Sequence, residues 1–305
     1  MCSMVRKVAY QGEPGANSNI ACLQMFPAME PVPCPSFEDA FELVKSGDAD
    51  LAMIPIENSI AGRVADIHVL LPESGLQIVG EHFLRIRFHL LGIPGSTLEQ
   101  AREVHSHVHA LGQCRKLIRS MGLKPVVAGD TAGSAREVRD WNDASKVSLA
   151  PPLAAQMYGL DVLAEDVEDD ATNTTRFVAL SRERRQQTRD ELPGPVITSF
   201  VFRVRNVPSA LYKALGGFAT NGVNMTRLES YMVGNEFAAT TFMADVEGHP
   251  SDTPVRLALE ELEFFTDEVR VLGVYAAAPY RSLGFTDSGN PGTTPAGNPK
   301  PTLSL

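Results

Sequence analysis

The run Asn173-Thr174-Thr175-Arg176-Phe177 places hydroxyls, a guanidinium and an aromatic ring in immediate succession. It follows the acidic stretch Glu165-Asp166-Val167-Glu168-Asp169-Asp170 and leads into apolar residues 177–180. A strand end that presents threonine and arginine together suits a small anionic substrate with a hydroxyl to be activated. The Thr175 hydroxyl is too weak an acid to serve as a proton reservoir. Held in a water-poor cleft, it can instead stabilise a leaving oxygen as charge develops there. Arg176 can clamp a carboxylate with two parallel hydrogen bonds, or pair with the acidic stretch. Neighbours on a strand point to opposite faces. If Thr175 faces a substrate, Arg176 holds the run in shape from behind. Phe177 then shares the Thr175 side, as a wall for a ring or as core. Asn173 orients the loop before the strand, and Thr174 is the second hydroxyl of the pair.

A second group is Glu57-Asn58-Ser59, in a loop after a buried apolar run. Asn58 and Ser59 can bond substrate oxygens, and Glu57 serves as a proton donor or a structural carboxylate. Further polar groups stand where a strand or loop feeds a helix: Ser18, Ser59, Ser106-His107 and Thr131-Ala132-Gly133-Ser134. Free N–H groups at such starts bind anions, although most helix starts in an α/β protein are simply capped. Several facing one cleft suit a dicarboxylate. His107, His109 and Gln113 crowd one such start, with His107 expected near the cleft. The histidines lack carboxylates at matching spacing, so no metal is expected. Gly12-Glu13-Pro14-Gly15 lacks the GxGxxG pattern, and no Gly-Lys-Ser/Thr follows it, which excludes the usual nucleotide loops.

These groups must be carried by a layered scaffold. Strands are expected at 5–10, 50–55, 103–106, 125–129, 146–150, 162–165 and 175–181, and helices at 18–26, 36–46, 63–71, 109–121, 131–141 and 151–158. Residues 77–93 read as one long extended stretch. Ser36 and Asp39 are spaced for a capping box. Alternation of strand and helix implies α/β layers with mostly parallel sheets. A charged linker over 182–194 precedes a second pattern: strand 196–204, helix 208–220, strands 223–232 and 237–246 joined by Gly234-Asn235, helix 253–265 and strand 269–277. That order is βαββαβ, the ferredoxin-like unit. Residues 281–305 are rich in Gly, Pro, Thr and Asn with few apolar anchors, the composition of a disordered tail.

The chain has 305 residues, 44% hydrophobic composition and a formal charge of −10. It carries no basic stripe, which argues against nucleic acid, and no apolar run of membrane-spanning length. The first eleven residues hold no apolar stretch of signal-peptide length. Cys2, Cys22, Cys34 and Cys114 show no metal or disulfide spacing. The expected location is the cytoplasm.

Taken in order, Gln11-Gly12-Glu13-Pro14-Gly15, Pro55-Ile56-Glu57-Asn58-Ser59, Thr175-Arg176-Phe177 and the Gly222 region resemble the motifs of prephenate dehydratases over residues 5–280. The resemblance implies a two-lobed α/β catalytic domain like a type-2 periplasmic binding protein (5–181), a linker (182–194) and a regulatory ACT domain (195–280). It implies chain crossings between lobes near 80–90 and 170–175. It also implies decarboxylative dehydration of prephenate to phenylpyruvate without cofactor, with Thr175, Arg176 and Glu57 as catalytic groups. Asn58, Ser59, Ser18, His107, Gln113, Thr131, Ala132, Thr174 and Phe177 would line the substrate.

Arogenate dehydration, and amino-acid sensing without catalysis, are the alternatives on the same fold. For the ACT domain it implies an amino-acid effector, phenylalanine, held by Ala210, Leu211, Asn221, Gly222, Val223, Asn224, Glu229 and Ser230 between copies in a homodimer or homotetramer. Two positions depart from the family pattern: Ser209 stands where the first effector motif has glycine, and Tyr231-Met232 where the second has Arg-Pro.

Overall fold

A computed structural model describes residues 5–183, 187–232 and 241–283. The expected Gly234-Asn235 turn, and the tail beyond residue 283, lie outside the described residues.

The chain begins with β1 (Lys7–Gln11), α1 (Asn17–Met25), β2 (Glu30–Cys34), α2 (Phe37–Ser46), β3 (Leu51–Asn58), β4 (Gly62–Arg63), α3 (Ala65–Ser74) and β5 (Gln77–Arg85). Ser36 and Asp39 form the reciprocal capping box at the start of α2. It then enters a second group of elements: β6 (His89–Gly92), β7 (Glu103–Ser106), α4 (Val108–Gln113), α5 (Arg115–Met121), β8 (Lys124–Val127), α6 (Thr131–Trp141), β9 (Lys146–Ala150), α7 (Pro152–Tyr158) and β10 (Asp161–Ala164). It returns through β11 (Thr174–Ser181).

Two sheets result, one per lobe. The first runs β2-β1-β3-β11-β5 and the second β8-β7-β9-β6-β10. The orders are equivalent. In each, a strand arriving from the other lobe lies antiparallel between its neighbours: β11 between β3 and β5, and β6 between β9 and β10. The two crossings touch, Ile86 N–H donating to Asn173 O at 2.8 Å and Val167 N–H to Phe88 O at 2.9 Å. One apolar cluster, with Tyr10, Met53, Leu84, Phe88, Leu149 and Phe177, spans both lobes beneath these crossings.

Two expectations are corrected. The extended stretch at 77–93 is two strands in different lobes, because the chain crosses at residues 86–88. The helix expected over 109–121 breaks at Cys114, where Asp169 accepts from the N–H groups of Arg115 and Lys116 at 3.0 Å each and starts a new helix.

The remaining elements are β12 (Val196–Val204), α8 (Ala210–Thr220), β13 (Met225–Tyr231), β14 (Thr241–Glu247), α9 (Thr253–Phe265) and β15 (Thr266–Ala276), followed by a 3-10 turn at Pro279–Leu283. The order is βαββαβ, and the strands lie β13-β14-β12-β15. Helices α8 and α9 cover one face through Phe200, Phe202, Phe218 and Leu262. The other face packs Ile197, Met243, Leu272 and Tyr275 against Ile67 and Leu71 of α3. At its edge β15 pairs with β5 through Gly273 and Ile78, so this unit continues the sheet of the first lobe. A Cβ at position 273 would run into the Ile78 backbone, which reserves the position for glycine.

Candidate active site

The site is assembled where β11 leaves the crossing and pairs with β3. Every residue of β11 is buried, as expected for a central strand flanked on both edges. Its register sets Thr175 opposite Asn58 and Arg176 opposite Glu57. The ladder then slips, so that Phe177 faces Pro55 and Ile56 is the extra residue of a bulge.

Asn58 organises the hydroxyl. Its Oδ1 accepts from the N–H groups of Ile60 and Ala61 at 3.0 and 2.8 Å. Those two donors fix the amide orientation and turn Nδ2 toward Thr175. Nδ2 donates to Thr175 Oγ1 at 2.9 Å and to Asn173 Oδ1 at 2.7 Å. Asn173 in turn donates to Gln113 Oε1 at 2.8 Å. A polar chain thus runs from Gln113 in the second lobe through Asn173 and Asn58 to Thr175 in the first. Because Thr175 Oγ1 accepts from Asn58, its own O–H is left to donate. Ser59 stitches the same corner: its Oγ accepts from Thr174 N–H at 3.0 Å, and its N–H donates to Thr174 O at 2.8 Å.

The other expected residues divide. Ser18 lies in the first turn of α1, whose N-cap, Ala16, offers no side-chain oxygen, so the helix start is uncapped. His107 is the N-cap of α4, its Nδ1 accepting from His109 N–H at 3.4 Å. Burial and the neighbouring His109 lower its pKa. Thr131 and Ala132 begin α6, but the Asp130 carboxylate already holds Gly133 N–H at 2.6 Å. The Thr131 and Ala132 N–H groups stand beside this capped position in the first turn. Ser106 is also spent, donating to Leu149 O inside the second lobe. Ser59 does not start a helix, since α3 begins at Ala65. Phe177 is 2% exposed and packs within the core cluster that spans both lobes.

Arg176 lies behind the run, the arrangement expected if Thr175 faces a substrate. Its side chain leaves the opposite face of β11, 2% exposed. Nε donates to Glu81 at 2.8 Å, Nη1 to Glu57 at 2.9 Å and Asp245 at 2.6 Å, and Nη2 to the Tyr275 hydroxyl at 2.9 Å. Its partners do not include the acidic stretch at 165–170. Glu57 is likewise a partner of arginines, with Arg227 Nε at 3.4 Å from its second oxygen. These pairings match the structural-carboxylate arrangement of the two expected for it. Burial works against the Arg176 charge, yet Asp245, Tyr275, Glu81 and Glu57 together hold its pKa well above the ordinary value. Burial would raise the Asp245 carboxyl, but Arg176, Arg227 and the Ser199 hydroxyl more than offset this and hold it low.

Sequence reasoning missed Glu81, Asp245 and Tyr275 entirely. The available signal was a lone carboxylate inside an otherwise apolar strand, as in Thr241–Glu247, because a buried charge needs a partner.

The mouth between the lobes is bridged by the loop before α1. Glu13 pairs with Arg136 at 3.1 Å, and Tyr158 donates to Pro14 O at 2.8 Å. Gly15 presses on α7, where a Cβ would stand 2.9 Å from Ala154 Cα.

In the C-terminal unit, Ala210 and Leu211 open α8, and a shallow pocket of about 240 Å³ lies there, lined by Val204, Asn206, Val207, Ser209, Leu211 and Phe242. Ser209 holds φ 65°, a left-handed conformation that favours glycine. Asn221 Nδ2 donates to Gly217 O at 2.8 Å, and Gly222, Val223 and Asn224 form the loop into β13. Glu229 and Ser230 lie on β13 away from that pocket, beside Arg63.

A sequence model of the prephenate dehydratase family matches residues 8–185. A Komagataeibacter europaeus protein named bifunctional N-acyl-homoserine lactone acylase/prephenate dehydratase is 53% identical, over 90% of this chain and 98% of its own. The chloroplastic arogenate dehydratase/prephenate dehydratase 2 of Arabidopsis thaliana is 37% identical, over 88% of this chain and 72% of its own. Among solved structures, the prephenate dehydratase of Arthrobacter aurescens in complex with L-Phe superposes with a TM-score of 0.81 at 32% identity, covering 89% of this chain and 90% of that one. This chain belongs to the prephenate dehydratase family.

Proposed function

We propose that the hydroxyl corner built by Thr175 and Asn58 carries out the decarboxylative dehydration of prephenate to phenylpyruvate, for phenylalanine biosynthesis. As the ring carboxylate leaves as carbon dioxide, its bonding electrons enter the ring. The ring hydroxyl departs from the opposite carbon with its own bonding pair, and a proton from solvent completes the water. Aromatisation supplies the driving force. The enzyme positions the dianion, excludes water and stabilises the departing oxygen. The observation that carries this reading is the hydrogen bond from Asn58 Nδ2 to Thr175 Oγ1, which leaves the threonine proton to meet the leaving oxygen. The uncapped start of α1, with Ser18 in its first turn, offers N–H donors to a carboxylate.

The βαββαβ unit over 195–280 is read as an ACT domain. Its effector is phenylalanine, supported by the L-Phe complex of the Arthrobacter aurescens relative. A site formed between copies explains why Ala210 and Leu211 lie apart from Glu229 and Ser230 within one chain, and it implies a homodimer or homotetramer. A cytoplasmic location agrees with the absence, among the described residues, of any helix long and apolar enough to cross a membrane. A second reading, amide hydrolysis of N-acyl homoserine lactones, is favoured by the 53% identity to a relative bearing both names.

The test is turnover by purified protein of prephenate, arogenate and an N-acyl homoserine lactone in parallel, with and without phenylalanine. Phenylpyruvate from prephenate is expected, with the rate altered by phenylalanine. Turnover of arogenate alone would change the substrate assigned. Release of homoserine lactone would add the second activity, and turnover of none would refute the catalytic assignment.

A further inference from the structure

The catalytic strand is held from behind by another part of the chain. Two of the four partners of Arg176, Glu57 and Glu81, lie on β3 and β5 of the first lobe. The other two, Asp245 on β14 and Tyr275 on β15, belong to the C-terminal unit. Ser199 on β12 locks that pair, donating to Asp245 Oδ1 and bonding the Tyr275 hydroxyl at 2.7 Å. Arg227 on β13 completes the cluster, with Nη1 at 3.9 Å from Asp245.

The ladder with β3 slips just after Arg176, while the pairing with β5 stays in register through this point. Arg176 follows Thr175 in sequence, and Glu57, bonded to the same guanidinium, precedes Asn58. One buried cation thus anchors the neighbours of both groups that form the hydroxyl corner.

We propose that Asp245 and Tyr275 are positioning residues for the dehydration, acting through Arg176 to set the Thr175–Asn58 geometry from the C-terminal unit. The proposal rests on the Thr175–Asn58 reading of the site. It makes the C-terminal unit a structural part of the catalytic strand's support. A misplacement of about 1 Å at a reacting group can cost about a hundredfold in rate, so a loosened anchor is read in kcat.

The experiment is steady-state prephenate turnover by the full chain as wild type, Asp245→Asn, Tyr275→Phe, Arg176→Lys and the corresponding doubles, with thermal unfolding recorded for each. Asp245→Asn is expected to lower kcat about tenfold or more, with KM within about threefold. Tyr275→Phe should give a smaller loss of the same kind. Because both act through Arg176, neither should lower kcat further in the Arg176→Lys background. Should Asp245→Asn not fold, Tyr275→Phe, which removes one oxygen, decides by the same criteria. Wild-type kcat in the folded variants, losses confined to KM, or losses that multiply in the doubles would overturn the proposal. An inactive wild type would instead remove the dehydratase reading beneath it.

Discussion

On the proposed mechanism Thr175 and Asn58 divide one task, and substitution separates their shares. Thr175→Ala removes the donor while leaving the Asn58 turn closed through Ile60 and Ala61. We expect kcat to fall by about a hundredfold or more, as for loss of one oriented donor to a developing oxyanion, with melting temperature close to wild type. Asn58→Asp keeps an acceptor for the two turn N–H groups but replaces the donor facing Thr175 with an oxygen. The threonine proton would then turn inward to that carboxylate, and a kcat loss of similar size is expected. Phenylpyruvate formation measures both. Wild-type kcat in Asn58→Asp would mean that Thr175 does not depend on its neighbour for direction. Burial raises the Cys22 thiol to about 12 and pushes Cys114 up as well, which favours the protonated form of both.

At the level of elements, two backbone positions carry the clearest consequences. Gly273 lets β15 reach β5, the only place where the C-terminal unit joins the first-lobe sheet among the described strand pairings. Gly273→Ala should cost about 2 kcal/mol or more through overpacking, seen as a lower melting temperature and faster proteolysis between the lobes and the C-terminal unit. Unchanged melting would show that the strand shifts freely. Ser209 poses the opposite case. Its left-handed φ of 65° at the start of α8 disfavours any side chain. Ser209→Gly is expected to stabilise by about 1 kcal/mol, a rise of about 2 °C in melting temperature. A fall would mean that the serine contributes more through contact than it costs in strain.

For the whole molecule, the interface between α3 and the C-terminal sheet sets a pH dependence. His68 is 1% exposed and sits against Arg227, with its Nδ1 at 2.9 Å from Val64 O. Nδ1–H donates to that carbonyl, and Nε2 accepts from Arg227, which requires the neutral ring. Burial first, and then the Arg227 charge, lower its pKa. The unfolded chain therefore binds this proton first as pH falls through about 6.5, and stability drops with it. We expect the melting temperature to decline between about pH 7 and pH 5.5, and His68→Gln to make that decline shallower. An unchanged slope in the variant would place the dependence on other histidines. Asp245 acts in a lower window. Its depressed pKa contributes stability that is present above about pH 4, the ordinary carboxylate value, and is lost as pH falls below it.

The alternation of strand and helix and the βαββαβ order were legible in the sequence, because hydrophobic periodicity reports which face of each element is buried. The hydroxyl corner is legible as residue types, Thr175 and Asn58, while the register that joins them is not. What no local pattern carried was direction and partnership. The alternation of side chains allowed Arg176 to face either way. The choice was made by Glu81, Asp245 and Tyr275, which lie 95, 69 and 99 residues distant in sequence and enclose its charge. At the start of α6 the sequence shows Thr131 and Ala132 at a helix N-terminus, and the fold adds the Asp130 side chain as its cap. The stretch at 77–93 has uniform composition, yet it is cut in two by a crossing between lobes. Local sequence set the elements and the chemical groups, since both follow from neighbours along the chain. Tertiary structure alone decided which groups meet, because a buried charge or donor is satisfied by whatever the fold brings to it across space.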